Sequence, residues 1–196
     1  MPWDLAVTAF ATFFVLIDPA GNVPMFMAQT NGMTEAERRG TAFRGVIAAT
    51  VILIAVAFAG APVLEALGVS LAAFRIAGGL LLLIIALDMV LVRQSCARSA
   101  TADETEEASH KDDVAIVPLA VPLIAGPGAF ASIILLMGQA GGAPSGVAAV
   151  LGALLAVLVI LLVALLLASQ IMRVMGVTGV NVVGRVFGIV LAAIAL

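Results

Sequence analysis

The chain has 196 residues, of which 63% are hydrophobic and 11% charged, with a mean hydropathy of +1.24. A soluble domain holds about 45–50% apolar and roughly 25% charged residues, so there is too little polar sequence here to coat a water-soluble surface. An integral membrane protein is expected. The net charge of −3 arises in one acidic stretch and carries no functional meaning, and the single cysteine, Cys96, excludes an internal disulfide.

About 20 apolar residues cross a bilayer. In chain order the segments that qualify are 5–28, 44–64, 69–92, 114–138, 147–168 and 177–196. The N-terminus, Met1-Pro2-Trp3-Asp4, lacks the basic region of a cleaved signal, so the first segment is expected to remain as a span. That span is interrupted by Asp18-Pro19-Ala20-Gly21-Asn22-Val23-Pro24. The third carries Arg75, Gly78 and, further along, Asp88. The only strongly polar stretch, 93–113, holds Asp103, Glu104, Glu106, Glu107, Asp112 and Asp113, with His110 among them, and reads as a solvated loop. The fourth span is interrupted at Pro122-Leu123-Ile124-Ala125-Gly126-Pro127-Gly128, and the sixth carries Gly184, Arg185 and Gly188.

This order predicts an all-α membrane protein of six transmembrane helices, with helices 1 and 4 broken or kinked. Residues 1–92 form one three-helix repeat, 93–113 an acidic cytoplasmic linker, and 114–196 a second repeat. Each half has a proline-glycine break followed by an Arg-x-x-Gly: Arg75 to Gly78, then Arg185 to Gly188. Three spans per half make the repeats inverted, the arrangement of transporters whose site lies between repeats. The register is open: Gly21 can be set against Gly128, or Pro19 against Pro122. Orientation follows from basic residues. With the N-terminus outside, the inner loops collect Arg38, Arg39, Arg44, Arg93, Arg98, Lys111 and Arg173, while the outer loops around 61–68 and 139–146 collect none. Both termini are expected outside.

Proline removes a helical hydrogen bond, and irregular backbone survives at membrane depth only where protein or a watery cavity surrounds it. Such broken ends can bind a substrate carboxylate or a cation. The alternative is that Asp18–Pro24 is a turn ending the first helix and that Pro118, Pro122 and Pro127 only kink the fourth. An arginine at a helix centre costs roughly 2.5–3.5 kcal/mol on insertion scales. Counting about 1.5 Å per residue, Arg75 lies about 9 Å from the outer face, close to the depth of Gly126–Gly128. Asp18 and Arg185 both lie about 10–12 Å from the inner face and could form an inter-repeat salt bridge or serve ion coupling. Asp88 is about 20 Å along the helix from Arg75 and belongs at the inner interface. The substrate-binding candidates are therefore Asn22, Gly21, Arg75, Gly78, Gly126, Pro127 and Gly128. Both arginines can equally cap carbonyls freed by the breaks. Asn22 can donate to substrate or cap the broken helix, Gly184 to Gly188 reads as tight helix packing, and Glu65 reads as surface.

The run Leu16 through Pro24 resembles the opening signature of the MarC family of bacterial membrane proteins. So do Phe74-Arg75-Ile76-Ala77-Gly78-Gly79 through Asp88-Met89, Val117 through Ala129, and Gly184 through Ala195. The resemblance covers nearly the whole chain, the acidic linker being this chain's own variation. It implies a six-span inner-membrane protein of the broad group that includes amino-acid exporters similar to LysE. Relatives of the SnatA type look like ion-driven transporters of small neutral amino acids such as glycine and alanine.

The leading expectation is thus a secondary transporter of small neutral amino acids in the bacterial inner membrane. Export of another small amphiphile, or a structural role beside another membrane complex, are the alternatives. No metal-ligand cluster, phosphate loop or nucleophile–base constellation is present in the sequence, so neither an enzyme nor a cofactor is expected, beyond H+ or Na+ as a coupling ion. The expected partners are a small-molecule substrate and the lipid bilayer, with no nucleic acid; a homo-oligomer is left open.

Overall fold

A computed structural model of the chain describes residues 2–91 and 124–195, and among them every regular element is a helix. The elements are α1 (Pro2–Ile17), α2 (Pro19–Gln29), α3 (Glu35–Ala66), α4 (Leu71–Leu91), α5 (Pro127–Ala140), α6 (Pro144–Leu166) and α7 (Ala168–Ala195). The linker 93–113, with Cys96 and His110, and the start of the fourth span, with Pro118 and Pro122, lie outside the described residues.

Local chemistry accounts for the helix ends. Thr34 caps α3 with a capping box: its hydroxyl accepts from the Glu37 N–H at 3.3 Å, while the Glu37 carboxylate accepts from the Thr34 N–H at 2.8 Å. Proline opens α2, α5 and α6, where its missing N–H costs nothing. α5 ends at Gly141 in the left-handed region, φ 59°, a conformation glycine adopts without a Cβ penalty.

α1 and α2 together form one broken apolar run, Trp3–Gln29, long enough to cross a membrane; so are α3, α4 and α6. Pro127–Ala140 and Val182–Ala193 are shorter apolar helices. The described residues therefore supply four candidate crossings and two shorter apolar helices. Two expected loops are helical. Residues 61–66 continue α3 through Pro62, and Arg173 sits in the first part of α7, which follows α6 after Leu167 alone. α7 is divided by Gly176, at φ 62° and ψ 178°, and the expected sixth span is the helix beyond that kink.

The bundle packs in pairs: α1 lies along α6 and α4 along α7. α2 packs on α6 and α7, α5 packs on α3 and α4, and α3 packs on α6. The main core joins Phe13, Ile17, Val23, Phe26, Leu53 and Leu161. A smaller one joins Val15, Leu16, Leu82, Ile85, Ala86 and Leu191, and the Phe14 ring meets Phe187 edge-on at 5.4 Å. Ile47, Val51, Phe58, Val159, Val163 and Ile189 remain exposed. In water such an apolar surface would be a liability; in lipid it is the required one.

Glycine sets how closely the helices approach. A Cβ at Gly188 would lie 2.9 Å from the Ala86 carbonyl and from Met89 of α4, and one at Gly79 would lie 2.9 Å from the Ala195 carbonyl. These two contacts fix α4 and α7 antiparallel. A Cβ at Gly184 meets nothing within 4 Å, so only one end of the Gly184–Gly188 pair serves packing. Gly188→Ala is expected to destabilise the bundle by about 1–3 kcal/mol through overpacking, while Gly184→Ala is expected to cost nothing. Thermal unfolding in detergent, followed by circular dichroism, compares the two.

Candidate functional site

The first break is a single residue. Asp18 adopts φ 46° and ψ 71°, the one non-glycine residue at positive φ among the described residues. Its own N–H still bonds the Phe14 carbonyl at 3.1 Å, completing α1, and its carbonyl accepts from the Asn22 N–H at 3.0 Å, starting α2. The side chain, 2% exposed, accepts from the Gly21 N–H at 2.9 Å. Aspartate tolerates the left-handed region because its short polar side chain bonds locally, and it is among the best N-caps.

Pro19 and Pro24 have no N–H for the carbonyls a turn earlier. The Ile17 carbonyl in turn lacks its helical donor because the Gly21 N–H is taken by Asp18, and the Asn22 side-chain amide, 1% exposed, donates to it instead. Of the two roles the sequence left open for Asn22, the structure places it as a cap. Gly21 is needed because a Cβ there would collide with the Asp18 carboxylate. The chain continues helically to Gln29, so Asp18 breaks the run inside the bundle rather than ending it.

The second break is built differently. Ile124 and Ala125 are buried, Gly126 is the N-cap of α5 at φ −85° and ψ 172°, and Pro127 is its first residue. The Phe130 N–H bonds the Gly126 carbonyl at 3.1 Å, and Gly126, having no side chain, caps the helix with none; among the described residues no other side chain takes that place. The amides of Gly128 and Ala129 form the remainder of that first turn. Gly128 is enclosed by Leu16 of α1 and by Leu82 and Ile85 of α4: a Cβ there would lie 2.9 Å from Ile85 Cδ1 and 3.3 Å from Leu16 Cδ2. The two breaks are therefore neighbours, Leu16 standing two residues before Asp18. Pro19 and Pro127 each stand first in their helix, one residue after the cap.

Interhelical contacts revise the depth counts. Gly78 faces Ala131 and Leu135 of α5 at 3.4 Å, so it spaces α4 from α5. Gly128 meets α4 at Leu82 and Ile85, which are 7 and 10 residues beyond Arg75. At about 1.5 Å per residue, the Arg75 backbone lies about 10–15 Å along α4 from the second break instead of beside it. Asp18 stands four residues beyond Phe14 and Arg185 two before Phe187, the two rings that meet edge-on. The Arg185 side chain is exposed, however, and no ion pair joins it to Asp18 among the described residues. Asp88 is half-buried in the last turn of α4, and Glu65 is exposed.

One connection between the halves had no signal in the sequence beyond its charge. Arg38 donates to the Thr30 hydroxyl at 3.2 Å and carbonyl at 3.5 Å, and to the Ser169 hydroxyl at 3.3 Å. It thereby ties the end of α2 to the start of α7. At the opposite end of the bundle, a cavity of about 460 Å³ is lined by Asp4, Leu5, Thr8, Gln139, Ser145 and Gly146. No group of three or more potential metal ligands is found among the described residues.

Comparison with known proteins covers almost the entire chain. The sequence model of a family described as "MarC family integral membrane protein" matches residues 3–196. A UPF0056 membrane protein of Methanocaldococcus jannaschii is 37% identical over 97% of this chain and 91% of its own length. One from Archaeoglobus fulgidus is 36% identical over 96% of this chain and 87% of its own. The UPF0056 membrane protein YvbG of Bacillus subtilis is 32% identical over 100% of this chain and 92% of its own. No solved structure matches the chain.

Asn22→Ala is expected to lower stability by about 1–3 kcal/mol, because it leaves the Ile17 carbonyl buried without its donor. Asp18→Ala loses an N-cap, about 0.5–2 kcal/mol, and adds left-handed strain, whereas Asp18→Asn retains both the cap and the tolerated backbone. The order of melting temperatures in detergent, with Asp18→Asn above Asp18→Ala, checks the assignment.

Proposed function

The chain belongs to the MarC family of integral membrane proteins, and from that premise we propose that it is a secondary transporter of small neutral amino acids, glycine and alanine being the type, across the bacterial inner membrane. The observation that carries the reading is the difference between the two breaks. The first is closed by its own side chains, Asp18 on Gly21 and Asn22 on Ile17. The second offers the N-terminus of a 14-residue helix with no side-chain cap. Amides there, with the positive end of the helix dipole, suit a carboxylate. Leu16, Leu82 and Ile85 around Gly128 form an apolar collar that favours a short side chain.

In this reading the helices form two inverted repeats that exchange α2 with α5, α3 with α6 and α4 with α7. The packing supports it: α2 on α7 mirrors α5 on α4, α2 on α6 mirrors α5 on α3, and the pairs α3–α6 and α4–α7 map onto themselves. Both termini face outside, and Arg38, Arg39 and Arg44 at the start of α3 face the cytoplasm. Gly126, Pro127 and Gly128 form the turn that receives the substrate carboxylate, the Gly128 N–H donating to it while Pro127, with no N–H, sets the helix start. Gly21, Asn22 and Asp18 hold the first break in shape, and Gly78 keeps α4 close to α5. Arg75 stands along the route to the site, and Arg185 faces outward near the inner surface. H+ or Na+ drives the cycle, and coupling through Asp18 would have to release the Gly21 amide.

Counterflow of labelled glycine and alanine in proteoliposomes tests the reading. Accumulation of either is expected; none with any neutral amino acid would sink this substrate class. In the same assay Arg75→Ala and Arg75→Lys decide that residue's part, since wild-type rates in both remove it from the route.

A further inference from the structure

Ser132 is 2% exposed on α5, and its hydroxyl has no hydrogen-bond partner among the described residues. Two other helix hydroxyls in this chain satisfy themselves on the preceding turn. Thr30 donates to the Phe26 carbonyl and Thr50 to the Val46 carbonyl, both at 2.7 Å. The equivalent acceptor for Ser132 is the Gly128 carbonyl, and that bond is not made. An unsatisfied buried hydroxyl costs about 1–3 kcal/mol. Alanine, abundant throughout this bundle, would avoid the cost by removing one oxygen.

Helix geometry says where the hydroxyl faces. Side chains lean toward the helix N-terminus, and residues four apart stack on one face. Ser132 therefore overlies Gly128, which has no side chain, and is aimed at the uncapped first turn of α5. On the facing helix, Leu16 meets Gly128, while Leu5 and Thr8 share the 460 Å³ cavity with Gln139 and Ala140. α1 and α5 thus run antiparallel. Four residues back from Leu16 and four on from Gly128 bring Thr12, itself 4% exposed, to the level of Ser132. Asp4, Thr8 and Thr12, each four apart, make one polar face of α1. It begins in the cavity and ends one turn above the second break.

We propose that the α1–α5 seam is the solute's route between that cavity and the α5 N-terminus, and that Ser132 is a substrate-binding residue on it, hydrogen-bonded to a small zwitterion. A hydroxyl suits this station because it donates to a carboxylate and accepts from an ammonium. It also carries no fixed charge that would retain one end of the solute. The proposal rests on the transporter reading above and adds to it a route and a residue.

The test uses the full chain in proteoliposomes, with its only cysteine removed as Cys96→Ser. Ser132→Cys is exposed to a small methanethiosulfonate reagent, with Ile133→Cys, at a core position 0% exposed, as the dry control. Ser132→Cys is expected to react much faster than Ile133→Cys, and glycine or alanine to slow that reaction. Ser132→Ala is expected to raise the counterflow KM about tenfold, the loss of one hydrogen bond, while its melting temperature rises, because the unsatisfied hydroxyl is removed. Labelling as slow as at Ile133→Cys, or a wild-type KM in Ser132→Ala, overturns the proposal. Should the wild-type chain move no neutral amino acid, the substrate reading fails, while the labelling rates still decide whether the seam admits polar solutes.

Discussion

Each backbone amide and carbonyl of a membrane bundle must find a partner inside the protein, because lipid supplies none. That requirement explains why this chain can carry proline within apolar runs, and at what local cost. At the first break the freed groups are met by the chain itself: Asp18 turns into the left-handed region, caps α2 through Gly21, and Asn22 reaches back to Ile17. These bonds close within residues 17–22. The second break has glycine where the first has aspartate, so its helix begins without a side-chain cap.

The rest of the structure follows from placing these two joints against each other. Gly128 admits Leu16, Leu82 and Ile85 to the same point, bringing α1, α4 and α5 together beside the uncapped end. Gly188 and Gly79 then lock α7 along α4, and Arg38 links the α2 end to the α7 start. Close helix contact through glycine and interhelical hydroxyl bonds are the expected forces where burial against lipid gives helices no hydrophobic drive to associate.

Legibility in the sequence differed by kind of feature. The apolar runs and the breaks were readable because each depends on residues adjacent in the chain. That a proline stands one residue after the cap of both α2 and α5 was not, because it depends on which residue is the cap. Depth counting along single helices placed Arg75 beside Gly128, and the contacts of Gly78 and Gly128 separate them. Linear counting assumes helices of equal tilt and starting height, and packed helices have neither. It put Asp18 and Arg185 toward one end of the bundle but could not say that Arg185 faces outward. Ser132 drew no notice at all, because a lone serine in an apolar helix has no pattern.

The sequence by itself determined that this is a helical membrane protein broken twice, since hydrophobicity, proline and glycine act within a turn or two of where they stand. Only the tertiary structure decided which break closes on itself and which stays uncapped, which glycines are contacts, and which hydroxyl is buried without a partner. Those are properties of facing surfaces, set by how helices distant in the chain are tilted and rotated against one another.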